Sequence, residues 1–351
     1  MNINQMKEAI KKFRAADFSG LKDEELRAKA QKLQAKQGGF TLLELLVVIT
    51  LLATLATAAL VAYEGLGENA ADASTANSLV SAEAAIRNYR AVEGRYPNQW
   101  DNLANLDGGT TGGAFSLLAD QTKSFFGQWI EPKADTNGML AAVGKALAEV
   151  GIDEFQTING GTVPVGTVPN LAFNESGGAG ASELALWNGA LNVVWKDATF
   201  AATNVALSIV PAGGNGTSCI AGTGGPSLRS TFGGTDLTDS SNLNLINDAI
   251  DDNACTLVLA LGYGKDVPGT TIDSRVAIGQ VPTAATANVN PATHYARAIA
   301  LFQVGEDGFN GGTVDGIISS TEIFPKARLI GMVDPEGRAI DSTLAAANAG
   351  A

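Results

Sequence analysis

The chain has 351 residues, 45% hydrophobic and 17% charged, with 41 glycines. That is too apolar for a disordered polymer, and the glycines follow no collagen period. Thirty-six acidic against 23 basic residues leave a net charge of −13, which argues against a phosphate-binding surface and against nucleic acid as a partner. The excess of acid is uneven along the chain. Residues 1–39 hold nine basic and five acidic groups, whereas residues 40–351 hold 14 and 31. Within the first segment, Ser19–Lys29 carries charges on most helical faces and reads as a solvated helix.

Residues 40–62, from Phe40 to Ala62, then carry a single charge, Glu44. As a helix they extend about 35 Å, enough for the roughly 30 Å hydrocarbon core of a bilayer. Basic residues before this stretch and acidic ones after it predict a cytoplasmic N-terminus and an exported body. A cleaved secretory signal has a shorter apolar region and a small-residue exit. A plain signal anchor fits the length and the flanks but leaves Glu44 without a role. A carboxylate in a spanning helix costs a few kcal/mol unless paired or neutralised, which marks it as functional. The plain anchor also leaves Gly38 and Gly39, just before Phe40, without a reason.

The run Lys36-Gln37-Gly38-Gly39-Phe40-Thr41-Leu42-Leu43-Glu44-Leu45-Leu46-Val47-Val48-Ile49 resembles the type IV prepilin family, which includes the pseudopilins of type II secretion. The resemblance implies that a prepilin peptidase/methyltransferase cuts after Gly39 and methylates the new amine of Phe40. It implies that Glu44, fifth in the mature chain, serves assembly through a salt bridge with a neighbouring subunit's amine. The leader of 39 residues is long for the family. No methionine lies between Met6 and Met139 to offer a later start.

Beyond the apolar run, Leu79, Ala82, Ala85, Ile86, Tyr89 and Val92 recur at helical spacing, with Glu83, Arg87, Asn88 and Arg90 opposite. Glu83 and Arg87 are correctly spaced for a supporting ion pair. No proline precedes Pro97, so the helix is predicted from Phe40 to about Glu93, loosened where Gly65 and Gly67 interrupt it. Gly94 suits a left-handed terminus and Pro97 stops propagation. The exit Tyr89–Pro97 also resembles the helix end of major pseudopilins.

The remainder, residues 97–351, reads as mixed α and β. Leu140, Val143, Leu147 and Val150 form one helical stripe; Leu184, Trp187, Leu191, Val194 and Trp195 form a second. Strands are predicted at Cys255–Gly262, Arg275–Val281, Ala296–Gly305 and Leu329–Val333. The last is joined through Asp334-Pro335-Glu336-Gly337 to a partner at Arg338–Ile340. The expected fold class is α+β and pilin-like, a long N-terminal helix packed on a C-terminal head with an antiparallel sheet. Its expected divisions are a leader (1–39), removed; a membrane and filament-core half-helix (40–66); an amphipathic half-helix (67–96); and the head (97–351).

Cys219 and Cys255 enclose 35 residues. Outside the cytoplasm a disulfide is expected, worth about 3–4 kcal/mol, with two free thiols as the alternative. The glycine-rich turn Gly305–Gly316 offers Glu306, Asp307, Asn310 and Asp315 as hard oxygen ligands suited to Ca²⁺. Calcium in a C-terminal loop also occurs in similar pseudopilins. A solvated acidic turn is the alternative, and no cofactor is required. Neither a Gly-x-Ser-x-Gly elbow nor a Walker loop occurs, and one histidine (His294) leaves acid–base chemistry without a partner, so no catalytic residues are expected.

The expectation is a non-enzymatic structural subunit of a type IV pilus-like filament, a pilin or a type II secretion pseudopilin. The alternative is a membrane-anchored adhesive or binding protein, a minor pilin, displaying its large head on a prepilin stem. The resemblance implies further copies of the chain, the processing peptidase, an inner-membrane assembly platform and lipid as partners. It places the chain in a bacterial inner membrane as a single-pass protein, then in an extracellular or periplasmic filament.

Overall fold

The computed structural model describes residues 3–20, 22–35, 42–105, 107–135, 137–157, 183–185, 194–195, 203–213, 219–237, 243, 246–247, 250, 255–264, 286 and 288–349. They fall into two compact units, Met1–Glu64 and Gly65–Ala351.

The first unit contains helices α1 (Ile3–Ala15) and α2 (Glu24–Ala35) and the beginning of α3 (Leu42–Glu93). The expected helix over Ser19–Lys29 is displaced toward the C-terminus. Asp23 accepts the Glu25 and Leu26 amides at 3.0 and 3.3 Å and so caps α2 instead of continuing a helix through it. The Gln34 side chain donates to the carbonyls of Phe13 and Ala16 at 2.9 and 3.1 Å, tying α2 back to the end of α1. Sequence periodicity had not singled out α1 at all.

Helix α3 spans 52 residues and stays helical through Gly65 and Gly67, where loosening was expected. Two glycines cost about 2 kcal/mol relative to alanine, which a long cooperative helix tolerates. It ends where predicted. Gly94 has φ +73° and its amide bonds Arg90 O at 2.9 Å, the left-handed terminus that glycine adopts without a Cβ clash.

The second unit is built on a mixed sheet. Its described strands are β1 (Trp100–Asn102), β2 (Gly127–Pro132), β3 (Glu154–Thr157), β4 (Glu183–Ala185), β5 (Val194–Trp195), β6 (Asn204–Val210), β8 (Thr256–Gly262), β9 (Ile299–Glu306) and β11 (Ile323–Val333). One path runs β11-β9-β8-β1-β3-β4-β5, and β6 joins β8 and carries β2. Every pairing in it is antiparallel except β1 with β3. A parallel ribbon of β7 (Ile220–Ala221) and β10 (Ile317–Ile318) stands apart. Because β1 and β6 both pair with β8, the sheet forks there. Asn102 closes the fork by donating to Ala206 O and accepting from Ser208 N, at 2.8 and 3.0 Å.

The central strands are apolar on both faces, as their uninterrupted hydrophobic runs require. In β8, Leu257, Leu259 and Leu261 enter one core and Val258 and Ala260 a second. The first core is completed by α5 (Met139–Ala148) and by Leu79, Ala82 and Ile86 of α3. Asp135 fastens the start of α5 by accepting the amides of Leu140 and Ala141 at 3.1 and 2.9 Å. The other face is covered by Leu103, Phe232 and Leu243 and by Leu118 and Phe126, which flank the short helix α4 (Asp120–Phe125).

Two expectations are corrected. Leu184, Val194 and Trp195 lie in strands, with Leu184 paired to both Phe155 and Trp195. Aromatic and β-branched side chains fit a pleated surface, and cross-strand pairing overrode the three- and four-residue spacing. Trp187 and Leu191 of that stripe, and the strand expected at Arg275–Val281, lie outside the described residues. Arg338–Ile340 is not a second hairpin strand. After the turn, Val333 and Ala339 form one bridge and helix α6 (Ile340–Ala349) begins. Gly337 has φ +84°, and a Cβ there would collide with the Phe125 ring.

Candidate functional site

The segment Leu42–Val61 is, among the described residues, the one stretch of helix long and apolar enough to cross a membrane, and none of it is buried within the protein. Leu42, Leu43, Leu60 and Val61 are each at least two-thirds exposed. Three threonines interrupt the apolar surface, yet each hydroxyl is satisfied by its own helix: Thr50 donates to Val47 O, Thr54 to Leu51 O and Thr57 to Ala53 O, all at 2.9 Å. Hydroxyls bonded in this way can enter hydrocarbon without an orphaned donor.

Glu44 sits in the first turn of α3 and is exposed. There the unbonded amides of the helix start carry partial positive charge, which favours a carboxylate by about 0.3–1 kcal/mol at an exposed site. Its position four residues after Phe40 places the acid at the start of the apolar stretch. Gly39 and Phe40, the expected cleavage and methylation residues, lie outside the described residues.

In the second unit the remainder of α3 is an integral part of the head. Asp72, Thr75, Ala76, Leu79, Ala82, Ile86 and Tyr89 are buried, whereas Val92, expected on the same stripe, is half exposed. Glu83 and Arg87 form the expected ion pair at 2.6 Å. Tyr96 explains the helix exit. Its ring stacks edge-on against Phe302 with centroids 5.3 Å apart, the Arg90 guanidinium lies 4.5 Å from its ring centre, and its amide bonds Val150 O at 2.7 Å.

A second fastening comes from the C-terminal turn. The Arg338 guanidinium reaches Asp334 at 2.8 Å, Asp72 of α3 at 3.0 Å and Glu336 at 3.3 Å. Burial pushes the Asp334 carboxyl above its ordinary range, although the Arg338 charge and hydrogen bonds act against it. The surrounding carboxylates in turn raise Arg338 despite its own partial burial. Nothing in the sequence singled out Asp72 or Arg338, because 266 residues separate them.

In the acidic turn the carboxylates accept backbone amides. Asp307 accepts the amides of Asp315 and Gly316 at 3.3 and 2.7 Å, and Asp315 accepts that of Ile317 at 2.9 Å. Among the described residues no three His, Cys, Asp or Glu side chains converge to hold a metal. The acid that organises this turn is Glu322, outside the expected set. It accepts the amides of Gly308 and Ser319 at 2.9 and 2.8 Å and the Ser319 hydroxyl at 2.7 Å. Burial raises its carboxyl, and those hydrogen bonds outweigh burial and hold it below the usual glutamate range.

Cys219 and Cys255 form a disulfide with Cα atoms 5.3 Å apart. It joins the residue before β7 to the residue before β8, and Asp307 N bonds Cys255 O at 2.9 Å. The bridge and the acidic turn are therefore one region.

An exposed spanning helix with one acid in its first turn, followed by an α+β head, defines a membrane-anchored single-pass protein. Residues 34–60 match the prokaryotic N-terminal methylation motif. That stretch is similar to the class III leader junction and helix start of type IV prepilins. No curated protein and no solved structure matches the chain.

Proposed function

We propose that the chain is a non-catalytic structural subunit of a type IV pilus-like filament, a pilin or a type II secretion pseudopilin. It is anchored in the bacterial inner membrane with its N-terminus in the cytoplasm, then polymerised after cleavage at Gly39 and methylation of Phe40. The observation that carries this reading is the exposed apolar stretch Leu42–Val61 with a single charge, Glu44, in its first turn. A surface so apolar needs lipid before assembly and other copies of the same helix afterwards. Cleavage gives Phe40 a cationic amine, which on one subunit neutralises Glu44 on its neighbour and offsets the burial of both ions. That pairing also fixes the axial stagger between subunits. No metal or cofactor enters the mechanism.

The test joins two measurements. N-terminal mass spectrometry of the mature protein is expected to show methyl-Phe40; an intact leader would return the chain to a plain signal anchor. Glu44→Leu is expected to insert normally and to fail in filament assembly, and wild-type filament yield from that variant would remove the pairing. Abundance in purified filaments distinguishes a main subunit from a scarce adhesive minor pilin.

A further inference from the structure

Helix α1 is amphipathic, and among the described residues its apolar face is only partly covered. At about 100° per residue, Met6, Ile10 and Phe13 fall within a sector of about 60°, with Lys7 about 90° from its centre, Lys11 and Lys12 each about 130° from it on opposite sides, and Glu8 nearly diametrically opposite. Met6 and Ile10 are 47% and 42% exposed. Phe13 is half-buried and stacks on Phe18 with ring centroids 5.4 Å apart.

An apolar stripe edged by lysines matches the headgroup boundary of an anionic bilayer, with the rings and chains directed inward and the ammonium groups at the phosphates. The chain also holds α1 close to such a surface. Only residues 36–41 separate the end of α2 from the apolar span at Leu42, a tether of about 25 Å at full extension. Gln34 ties α2 back to α1. A short tether gives the second contact a high effective concentration.

We propose that α1 is a membrane-surface helix, seated among anionic phospholipid headgroups beside the point where the chain enters the bilayer. The segment containing Gly39 and Phe40 is then held between two membrane-bound anchors, which keeps the cleavage site at the bilayer face despite a leader of 39 residues. This rests on the reading of Leu42–Val61 as a membrane span.

The test uses the full chain in nanodiscs. Cys219 and Cys255 are bridged, so a cysteine introduced elsewhere is the unique target for a spin label. Labels at Ile10→Cys, Glu8→Cys and Ala53→Cys are compared by collision with oxygen and with a water-soluble nickel chelate. In nanodiscs containing phosphatidylglycerol, position 10 is expected to be shielded from nickel, position 8 to remain aqueous and position 53, near the middle of the span, to lie in the bilayer core. In pure phosphatidylcholine, position 10 is expected to become aqueous while position 53 is unchanged. The triple change Lys7→Gln, Lys11→Gln and Lys12→Gln, which preserves helix propensity, is expected to cut the docked-to-free ratio roughly a hundredfold, from about 1 kcal/mol per basic residue.

An aqueous position 10 in the anionic bilayer, or equal shielding in both lipids, overturns the proposal. An aqueous position 53 instead removes the membrane span itself.

Discussion

Arg338 is the side chain on which the join between α3 and the end of the head depends. Its partner Asp334 is fully buried, so Arg338→Ala leaves an interior carboxylate held by the backbone amides of residues 336 and 338 but without its guanidinium. Losing one member of such a pair costs about 3–5 kcal/mol, and a urea denaturation curve is expected to lose stability in that range. Arg338→Lys keeps the charge without the planar fork and is expected to fall between the two. Glu322 gives a pH-dependent counterpart. Its folded pKa lies below the ordinary value of 4.5, so its contribution is complete above that pH and is lost as pH falls through the lowered folded value. Glu322→Gln is expected to cost about 1–3 kcal/mol at neutral pH. It should also flatten the acid limb of a melting-temperature profile; an acid limb identical to wild type would show that the Gly308 and Ser319 contacts do not titrate with folding.

At the scale of elements, the disulfide has the clearest mechanical role. β7 and β10 are two residues each, far too short to hold themselves together, since even an isolated hairpin is marginal in water. The bridge secures this ribbon to the edge of β8 and, through Asp307, to the acidic turn. Replacing both cysteines by alanine is expected to lower unfolding free energy by about 3–4 kcal/mol, the chain-entropy value for a loop of this size. An unchanged denaturation midpoint would mean that the turn stands without its staple. The same scale explains the failed hairpin after β11: Arg338 is drawn to Asp334 and Asp72, the backbone leaves the sheet after a single bridge, and α6 begins.

For the whole molecule, the sharpest expectation concerns where the head begins. Leu79, Ala82 and Ile86 of α3 are buried in one core with the sheet and α5, and Ala76 and Tyr89 are buried as well. Their burial contributes on the order of 5–10 kcal/mol, comparable to the entire stability of a typical domain. A fragment from residue 67 to the C-terminus is therefore expected to fold cooperatively, whereas one starting at residue 97 is expected to expose its first core and aggregate. Circular dichroism and a thermal melt of the two fragments distinguish them; a cooperative melt from the shorter one would show that the helix is an appendage.

The apolar run with its one acid, the helix from the span to Gly94, the stripe of α5 and the two central strands β8 and β9 were all legible in the sequence. Each is decided by local periodicity or by a continuous hydrophobic run, and such signals need no distant partner. The remainder required tertiary structure. The three-residue strands β1 and β4 carry too few residues for a period and exist through pairing; the fork at Asn102, the Arg338–Asp72 join and the capping by Glu322 unite groups far apart in sequence. The acidic turn shows the limit most plainly, for spacing shows where the carboxylates fall in the sequence, but only the folded backbone shows which amides Asp307, Asp315 and Glu322 accept.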